Sequence, residues 1–571
     1  MKHVSLFSLL LILGLIATNC TNPKSKETPR QERQEKNAAS ETTKKDAPFM
    51  WENANVYFLL TDRFKNGTTD NDLNFERTNK TGVLRNFTGG DVRGIIQKIN
   101  EGYFNELGVN AIWLSPVAEQ IHGSVDEGTG VTYAYHGYWI KDWTALEPNF
   151  ATKKDLHELV ETAHKHGIRI LFDVIINHTG PVTEKDPVWS DSWVRTAPKC
   201  TYKDYASAVT CTLTDNLPDI KTESKEEVQL PEALKQKWEK EGRLKQEVAE
   251  LDEFFAKTGY PRTPRFYIIK WLCDLIREYG IDGFRVDTVK HVEESVWAEL
   301  WEAASKAYEE WKKENPEKVF HNDDFFMVGE LYGYGIGGGR YYTFSNKKVD
   351  YFANGFKSLI NFQFAGDANK PYEEIFSQYS AVLDSTLKGK GILNYISSHD
   401  DGNPFDPERK KAFEAATKLL LCPGAAQIYY GDETNRLLKH EKTVGDARLR
   451  TKMNWDELEQ NVERNGIKAK EILAHYQKLG KFRQAHPAVG AGVHTMLSKT
   501  PYVFKRTYDS DSFVDKVIVG LDLEKGKKEI DIAGLFPDGT NLTDFYSGQK
   551  VEVKNGKVNI DSAFNTVLLG E

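Results

Sequence analysis

Residues 169–178 of the chain read RILFDVIINH, a mainly apolar run that contains Asp173 and ends in polar residues. The stretch before it, DLHELVETAHKHG, places apolar side chains at helical spacing (i, i+3, i+4) and ends in Gly167. An amphipathic helix followed by a buried strand explains both patterns. Because continuous apolar strands separated by helices are typical of parallel sheets, this stretch predicts one unit of an α/β fold.

The same alternation continues along the chain from residue 55. Helical patterns such as RFYIIKWLCDLIREYG and ESVWAELWEAASKAYEEWKKE separate the apolar runs. Eight such units predict a (β/α)8 barrel. A doubly wound open sheet is the alternative, and it is disfavoured because no GxGxxG motif follows the first strand. The strand candidates are residues 56–64, 110–116, 169–178, 283–288, 326–332, 355–362, 391–400 and 426–433.

Two further domains are predicted around the barrel. Residues 179–264 separate the third strand from its helix, and a structureless loop of that length is improbable. We therefore expect an inserted domain over the C-terminal mouth of the barrel, which leaves the barrel in two parts, 48–178 and 265–489. After Val489, short alternating runs such as YVFKRTY and KVIVGLDL predict a terminal antiparallel β-sandwich at 490–571.

The N-terminus has the pattern of an export signal. Lys2 is followed by an apolar stretch from Leu6 to Ala17 that is short for a membrane span, so residues 1–20 are predicted to be a signal peptide. Its end at Cys20 resembles the cleavage site of bacterial lipoproteins, which predicts a lipidated cysteine; a plain signal peptide is the alternative. The polar segment 21–47 is predicted to be a disordered tether. We expect a periplasmic protein or an outer-membrane-anchored lipoprotein, with the cell surface as a further location.

Composition excludes several classes of protein. The 75 Lys and Arg against 84 Asp and Glu give a net charge of −9, so no general basic surface is available for nucleic acid. A mean hydropathy of −0.55 with one apolar run excludes a polytopic membrane protein. We expect a monomer that contacts membrane only through the N-terminal lipid.

The cysteines of the mature chain fall into two kinds. Cys200 and Cys211 lie in a polar, turn-rich stretch, and export permits disulfides, so we predict one bridge between them. Cys273 and Cys422 lie within apolar helical patterns and are predicted to be buried thiols.

The ends of the predicted strands carry polar residues, where an α/β barrel places its functional groups. A single Asp after a strand is more often a helix cap than a catalyst. Like charges that converge on one pocket cost stability, however, so several such strand ends together predict an active site. The third strand run contains Asp173, Asn177 and His178, the fourth has Arg285 and Asp287, the fifth ends near Glu330, and the seventh in His399 and Asp400.

Converging carboxylates suit the cleavage of glycosidic bonds, which needs an ionised nucleophile and a protonated acid. Arg285 lies two residues before Asp287 and therefore on the same face of the strand, where its charge would keep Asp287 ionised. Glu330 follows an apolar run and would be surrounded by negative charge. Its pKa is therefore expected to be raised, which suits a proton donor.

The motifs DVIINH, GFRVDTVKH, VGELYG and YISSHD, in this order, resemble the four signature regions of the α-amylase family, glycoside hydrolase family 13. GVNAIWLSP, NLPDI and PGAAQIYYGDE resemble its additional conserved segments. The similarity covers roughly residues 50 to 570 and is greatest to members from the Gram-negative periplasm. One departure is Ser398, where many members have Asn before the His-Asp pair.

The resemblance implies a role for each matching residue. Asp287 would be the nucleophile that forms a glycosyl intermediate, Glu330 the general acid and then base, and Asp400 the carboxylate that binds sugar hydroxyls. A separation of about 5–5.5 Å is expected between the carboxyl groups of a retaining enzyme. The implied sugar-binding residues are Arg285, His178 and His399 at the cleavage subsite, His136 and Tyr138 as its wall, Lys290 and His291 on the aglycone side, and Asp446 and Arg450 in the same pocket.

The resemblance also implies Ca²⁺, which prefers oxygen ligands. Asn177, Asp219 and the carbonyl of His291 match the family's calcium site, which ties the inserted domain to the barrel. A second group resembles a further calcium site of some members, with an ordinary turn as the alternative. That group consists of Asn66, Thr68, Asn71, Asp72, Gly89 and Asp91.

Three functions are consistent with these residues. The leading hypothesis is an exported, endo-acting, retaining α-amylase that hydrolyses α-1,4-glucans. A 4-α-glucanotransferase would use the same residues and pass the glycosyl unit to another sugar. A non-catalytic starch-binding lipoprotein is the third, and the complete set of Asp287, Glu330 and Asp400 argues against it.

Overall fold

The apolar runs of the sequence form eight parallel strands, counted over the described residues, which close into a barrel. Each strand pairs in parallel with the next, and the last pairs with the first. The predicted (β/α)8 barrel is therefore confirmed. Strands β1 to β8 are Asn55–Leu59, Ala111–Leu114, Arg169–Val174, Gly283–Val286, Phe326–Gly329, Ser358–Asn361, Gly391–Tyr395 and Ala425–Tyr429.

The structure is a computed structural model that describes residues 47–126, 128–532 and 534–571. The predicted signal peptide, Cys20 and the tether up to residue 46 lie outside the described residues. None of the helices in the described ranges is long and apolar enough to cross a bilayer.

Several strands are shorter than the apolar runs that predicted them. The first run was expected to be a strand to residue 64, but Thr61–Phe64 is a helical turn. The third strand ends at Val174, so Asn177 and His178 lie in the loop that follows it. The hydrogen bonds between the strands end where the chain turns at the mouth of the barrel. The polar residues at the end of each run therefore lie in the loops at that mouth.

The helices between the strands begin and end at the expected signals. Thr152 caps the helix Lys153–Lys165 in a capping box with Asp155, and the helix Pro264–Tyr279 has proline at its first position and ends against Gly280 at φ 68°. The longer helices α1 to α9 are Val92–Asn100, Lys153–Lys165, Glu232–Lys240, Leu244–Thr258, Pro264–Tyr279, Glu294–Glu314, Tyr372–Asp384, Ala412–Leu421 and Ala469–Ala485.

Residues 179–264, the predicted insertion, contain their own secondary structure. A short antiparallel pair joins Val194–Arg195 to Asp219–Ile220, and the charged stretch after it forms the two helices α3 and α4. Cys200 and Cys211 form the predicted disulfide, with an S–S distance of 2.08 Å. Cys273 and Cys422 are buried free thiols, as predicted.

The C-terminal strands are antiparallel, as predicted. Strands β9 to β16 are Val493–Lys499, Tyr502–Ser510, Phe513–Leu521, Gly526–Asp531, Asn541–Asp544, Lys550–Glu552, Lys557–Ser562 and Val567–Gly570. The main sheet has the order β9-β10-β11-β16-β13-β14, and β12 pairs with β15 in a separate two-stranded antiparallel sheet. Apolar residues of both sheets, such as Ile518 and Ile560, share one buried cluster.

Candidate active site

Arg285 lies at the centre of a cluster of carboxylates at the C-terminal end of the barrel. Its Nη1 donates to Oδ1 of Asp287 at 2.7 Å and to Oδ1 of Asp173 at 2.9 Å. Its Nη2 lies 3.3 Å from Oε2 of Glu330. The side chain of Arg285 is only 1% exposed, so one desolvated guanidinium carries the positive charge for carboxylates from three neighbouring strands.

Asp173, one of the polar residues of the third strand run, is a member of this cluster for which the sequence predicted no specific role. Its Oδ2 accepts from the Tyr138 hydroxyl at 2.7 Å and from Nε1 of Trp113 at 3.0 Å. With Arg285, these donors supply the hydrogen bonds that a buried carboxylate requires. The available signal was a charged residue inside an apolar strand run, which is rare unless the charge is paired.

Glu330 is held by the turn that follows Asp287. The backbone N–H of Thr288 donates to Oε2 of Glu330 at 2.8 Å. Thr288 has a φ of 51°, a left-handed conformation that costs about 1–3 kcal/mol for a residue other than glycine. Burial raises the pKa of Glu330 well above its usual range, Asp287 and Asp400 raise it further, and Arg285 opposes them. Glu330 is therefore suited to holding a proton.

Asp400 has the opposite tendency. Burial favours its neutral form, but His399, Arg285 and Arg450 outweigh it, so the pKa of Asp400 is lowered. The Ser398 hydroxyl donates to its Oδ1 at 2.9 Å. The site thus contains one carboxyl group whose pKa is raised and a second, Asp400, whose pKa is lowered.

Neutral histidines and an aromatic ring form a wall beside the carboxylates. The rings of Tyr138 and His399 are stacked at 5.0 Å, and Nδ1 of His136 accepts from the backbone N–H of Tyr138 at 3.0 Å. Nε2 of His178 lies 3.3 Å from the Tyr138 carbonyl. Burial lowers the pKa of each histidine, to about 4 for His399, so the wall is uncharged at neutral pH.

A small cavity opens among these groups. Gln427 in β8 lines it with both amide atoms buried and without a hydrogen-bond partner in the described part of the chain. Gln427 was not predicted as a site residue, and the available signal was a polar amide between apolar neighbours in β8. The residues that line the cavity are Trp113, Arg285, Glu330, Ile360, Phe362, Tyr395, Ser398, His399, Asp400 and Gln427.

Lys290 and His291 follow the turn after Asp287, on the side predicted to face the aglycone. Nζ of Lys290 donates to the Tyr332 carbonyl at 3.2 Å, and Nδ1 of His291 donates to the Ala208 carbonyl at 2.9 Å. His291 therefore joins the barrel to the disulfide loop of the insertion.

Arg450 reaches the site through the backbone of a neighbour. Its Nε donates to the His399 carbonyl at 2.8 Å, and its Nη2 lies 3.4 Å from Oδ2 of Asp446. The Asp446 side chain is 53% exposed. Neither residue lines the small cavity, so this geometry gives Arg450 a positioning role on His399.

The residues of the first predicted calcium site converge. The side-chain oxygen of Asn177 faces two other oxygens, the His291 carbonyl at 3.0 Å and Oδ1 of Asp219 at 3.3 Å. Oδ2 of Asp219 accepts from Arg195 at 2.6 Å, which leaves Oδ1 directed at Asn177. Oxygens that face one another need either a cation between them or a rotated amide that donates to both. The donor set fits Ca²⁺.

The second predicted calcium group is brought together only in part. Nδ2 of Asn66 donates to Oδ1 of Asp72 at 2.8 Å, and both side chains lie against Gly89, where a Cβ would meet them within 2.6 Å. Asp91 instead caps α1: its Oδ1 accepts from the N–H groups of Gly67 and Gly94.

The remaining contacts of this group are also with the protein itself. Oδ2 of Asp91 accepts from the N–H of Thr68, so both oxygens of Asp91 have backbone partners. The Asn71 amide donates to the Asn149 carbonyl at 3.2 Å. No group of three or more His, Cys, Asp or Glu side chains that could hold a metal occurs within the described ranges. These contacts favour the ordinary turn for Thr68, Asn71 and Asp91.

Comparison with known proteins agrees with this geometry. The family model described as "Alpha amylase, catalytic domain" matches residues 58–492. The chain belongs to the alpha-amylase family. It is 38% identical over 536 residues to the periplasmic alpha-amylase of Escherichia coli (strain K12). This match covers 82% of this chain and 72% of that protein. It is thus a homologue of glycoside hydrolases of this family.

Two further relatives extend the comparison within the family. A cyclomaltodextrin glucanotransferase of Geobacillus stearothermophilus is 26% identical over 549 residues, and the match spans 88% of this chain but 65% of that enzyme. The crystal structure of an alpha-amylase from Geobacillus thermoleovorans, complexed with acarbose, shares the fold with a TM-score of 0.62 at 20% identity. That match covers 92% of this chain and 99% of the other.

Proposed function

We propose that this protein is an exported α-amylase that hydrolyses internal α-1,4 bonds of α-glucans and retains the anomeric configuration. The observation that carries this proposal is the division of charge around Arg285. The guanidinium pairs with Asp287 at 2.7 Å, while Glu330, 3.3 Å from the same guanidinium, has a pKa raised well above its usual range. A carboxyl group paired with a guanidinium and a carboxyl group suited to holding a proton thus occupy one site.

The reaction takes two steps on these residues. In the first, a carboxylate oxygen of Asp287 attacks the anomeric carbon and forms a covalent bond to it. The bond to the glycosidic oxygen breaks as Glu330 donates its proton, so the shortened chain leaves as an alcohol. In the second, Glu330 takes a proton from water, whose oxygen attacks the same carbon and releases Asp287. Asp400, held by Ser398, would bind sugar hydroxyls in both steps.

The relatives support the proposed substrate class. The similarity to a periplasmic alpha-amylase and the fold shared with an acarbose-bound alpha-amylase support an α-glucan substrate. Export to the periplasm is supported by the same relative and by the disulfide Cys200–Cys211, since disulfides persist in oxidising compartments. Lipidation at Cys20 and a monomeric state remain predictions.

Calcium at the first site is part of the proposal. Asn177, Asp219 and the His291 carbonyl would hold the ion and so join the third and fourth barrel loops to the insertion. When bound, Ca²⁺ would supply positive charge to facing oxygens and hold the loops in place. The ion is assigned no part in the chemical steps.

A glucanotransferase is the second candidate, favoured by the similarity to cyclomaltodextrin glucanotransferases. The two functions differ in what releases Asp287: water in one, and a sugar hydroxyl in the other. A time course on maltoheptaose and soluble starch, with products separated by size, distinguishes them. We expect only shorter products and an early fall in starch viscosity. Products longer than maltoheptaose would favour the transferase. The absence of any reaction with calcium present would favour the third hypothesis, a non-catalytic starch-binding protein.

A further inference from the structure

The short segment after β7 places Asp400 at the edge of the catalytic cavity. On the N-terminal side of Asp400, the buried Ser397 hydroxyl donates to the Asp432 carboxylate at 2.7 Å. On its C-terminal side, Oδ2 of Asp401 accepts from the hydroxyl of Tyr395, the last residue of β7, at 2.8 Å. Side chains on both sides of Asp400 therefore tie this segment to β7 and to the loop after β8.

The Ser398 hydroxyl uses its full hydrogen-bonding capacity within this segment. It donates to Oδ1 of Asp400 at 2.9 Å. It also accepts from the backbone N–H groups of Asp400 and Asp401, at 3.4 Å and 3.2 Å. A serine hydroxyl has one hydrogen to donate and two lone pairs, so these three contacts satisfy it. Because such contacts to nearby N–H groups stabilise turns, the atom that shapes the turn also orients the carboxylate.

The second carboxylate oxygen of Asp400 is held less closely. Oδ2 lies 3.6 Å from Nε2 of His399, which is too far for a hydrogen bond. The Asp400 side chain is 29% exposed, and it lines the cavity together with Ser398 and Glu330. With Oδ1 engaged by Ser398, Oδ2 is the oxygen that remains available to a ligand in this cavity.

We propose that Ser398 is a positioning residue for the reaction, which holds Oδ1 of Asp400 so that Oδ2 meets the hydroxyls of the sugar being cleaved. This inference rests on the proposed function, and it gives a role to the position at which the sequence departs from the family motif. A free carboxylate rotates about its Cβ–Cγ bond, and the loss of that freedom on binding sugar costs entropy. A charge-assisted hydrogen bond that fixes the rotation beforehand preorganises the carboxylate.

The first test removes the hydroxyl and compares two substrates. Maltoheptaose and α-maltosyl fluoride both place a glucose ring on the donor side of the bond that breaks, beside Asp400. For Ser398→Ala we therefore expect kcat/KM to fall by about tenfold on both substrates. The fall should lie mainly in kcat, because contacts to the sugar hydroxyls strengthen as the ring distorts toward the transition state.

A double-mutant cycle then asks whether Ser398 acts through Asp400. Asp400→Ala removes the carboxylate that the hydroxyl holds, and its remaining activity is measured on α-maltosyl fluoride, the more reactive substrate. If the hydroxyl acts only by orienting Asp400, adding Ser398→Ala to Asp400→Ala should change kcat by less than about twofold. A merely structural role of Ser398 would give the same loss in both backgrounds.

Two control variants complete the design. Ser398→Thr keeps the hydroxyl and should retain most of the wild-type kcat. Ser397→Ala removes the neighbouring hydroxyl, whose partner is Asp432 and not a reacting carboxylate. We expect Ser397→Ala to lower the melting temperature, to leave kcat/KM within about twofold of wild type, and to show no coupling to Asp400→Ala.

Each outcome decides between the parts of the proposal. Wild-type kcat in Ser398→Ala overturns the role of Ser398 while the proposed function stands. An equal loss from Ser398→Ala with and without the Asp400 carboxylate also overturns it, because the hydroxyl would then act by another route. A wild-type protein that cleaves neither substrate, with calcium present, overturns the proposed function and this inference with it.

Discussion

Arg285 donates from Nη1 to Oδ1 of Asp287 at 2.7 Å, and the two residues are separated by one position at the end of β4. Because alternate residues of a strand point to the same side, a single strand builds this ion pair. Glu330 comes from β5 and reaches the same guanidinium only when the barrel closes. One guanidinium therefore contacts both reacting carboxyl groups, and its charge opposes the rise in the pKa of Glu330.

Replacing the proposed acid by an amide should stop the reaction at the covalent intermediate. In Glu330→Gln, no group donates a proton to a glycosidic oxygen, so turnover of maltoheptaose should be lost. Fluoride leaves without such a proton, so α-maltosyl fluoride should still react with Asp287, and no base then activates water to release it. We expect intact-mass spectrometry to detect the protein with one added maltosyl unit.

The matched control is Asp287→Asn, which should also lose turnover but form no adduct. Both variants should remain folded. Since burial raises the pKa of Glu330, the native state holds a proton that the unfolded chain releases at neutral pH, and this costs stability. Glu330→Gln should therefore melt no lower than wild type. An adduct in Asp287→Asn would contradict the assignment of the nucleophile.

The pH profile should report the protonation of Glu330. Because Glu330 must carry a proton to act as an acid, kcat/KM on maltoheptaose should fall as the pH rises through its raised pKa. The first step on α-maltosyl fluoride needs no proton donor, so kcat/KM for the fluoride should lack that fall. An identical loss of activity at high pH for both substrates would exclude Glu330 as the acid.

The sequence predicted the barrel and most of its site because the evidence for both is local. Each apolar run predicted a strand, and the polar residues at its end, such as Asp287 and Glu330, follow from the rule that functional groups lie at strand ends. The ends of the strands were less predictable. The run at 56–64, VYFLLTDRF, is apolar only as far as Leu60, and its more polar second part, Thr61–Phe64, forms a buried helical turn instead of continuing the strand.

Roles that depend on distant partners were not predicted. Asp173 was expected among the polar residues of the third strand run, but its partners Tyr138 and Arg285 lie far from it along the chain and meet it only in the closed barrel. Asp91 was assigned by resemblance to a calcium site. It precedes α1, however, and backbone N–H groups near the start of that helix donate hydrogen bonds to both of its carboxylate oxygens.

Removal of calcium should weaken the protein where the insertion meets the barrel. Without the ion, the oxygens of Asn177, Asp219 and His291 face one another uncompensated unless the amide rotates. We expect EDTA to lower the melting temperature and excess Ca²⁺ to restore it. Asp219→Asn should remove most of this response. Metal analysis should find one tightly bound Ca²⁺ per chain, and a melting temperature indifferent to EDTA would contradict the site.

A buried histidine should make the stability of the protein fall in mild acid. His475 in α9 contacts the Tyr546 hydroxyl at 2.7 Å and the Thr417 hydroxyl at 3.0 Å, so it joins the barrel helices to the C-terminal domain. Burial lowers its pKa to about 4, whereas the unfolded chain would have the ordinary value of about 6.5. Between these values the unfolded state binds more protons, so stability decreases as the pH falls from 6.5 to 4.

The size of this effect follows from the same two values. The pKa difference corresponds to about 3 kcal/mol from His475 alone over that range. Urea unfolding followed by tryptophan fluorescence at pH 6.5 and pH 4 measures it, and the loss of unfolding free energy should be smaller by about this amount in His475→Gln, which cannot titrate. An equal loss in the variant and the wild type would show that other groups carry the acid sensitivity.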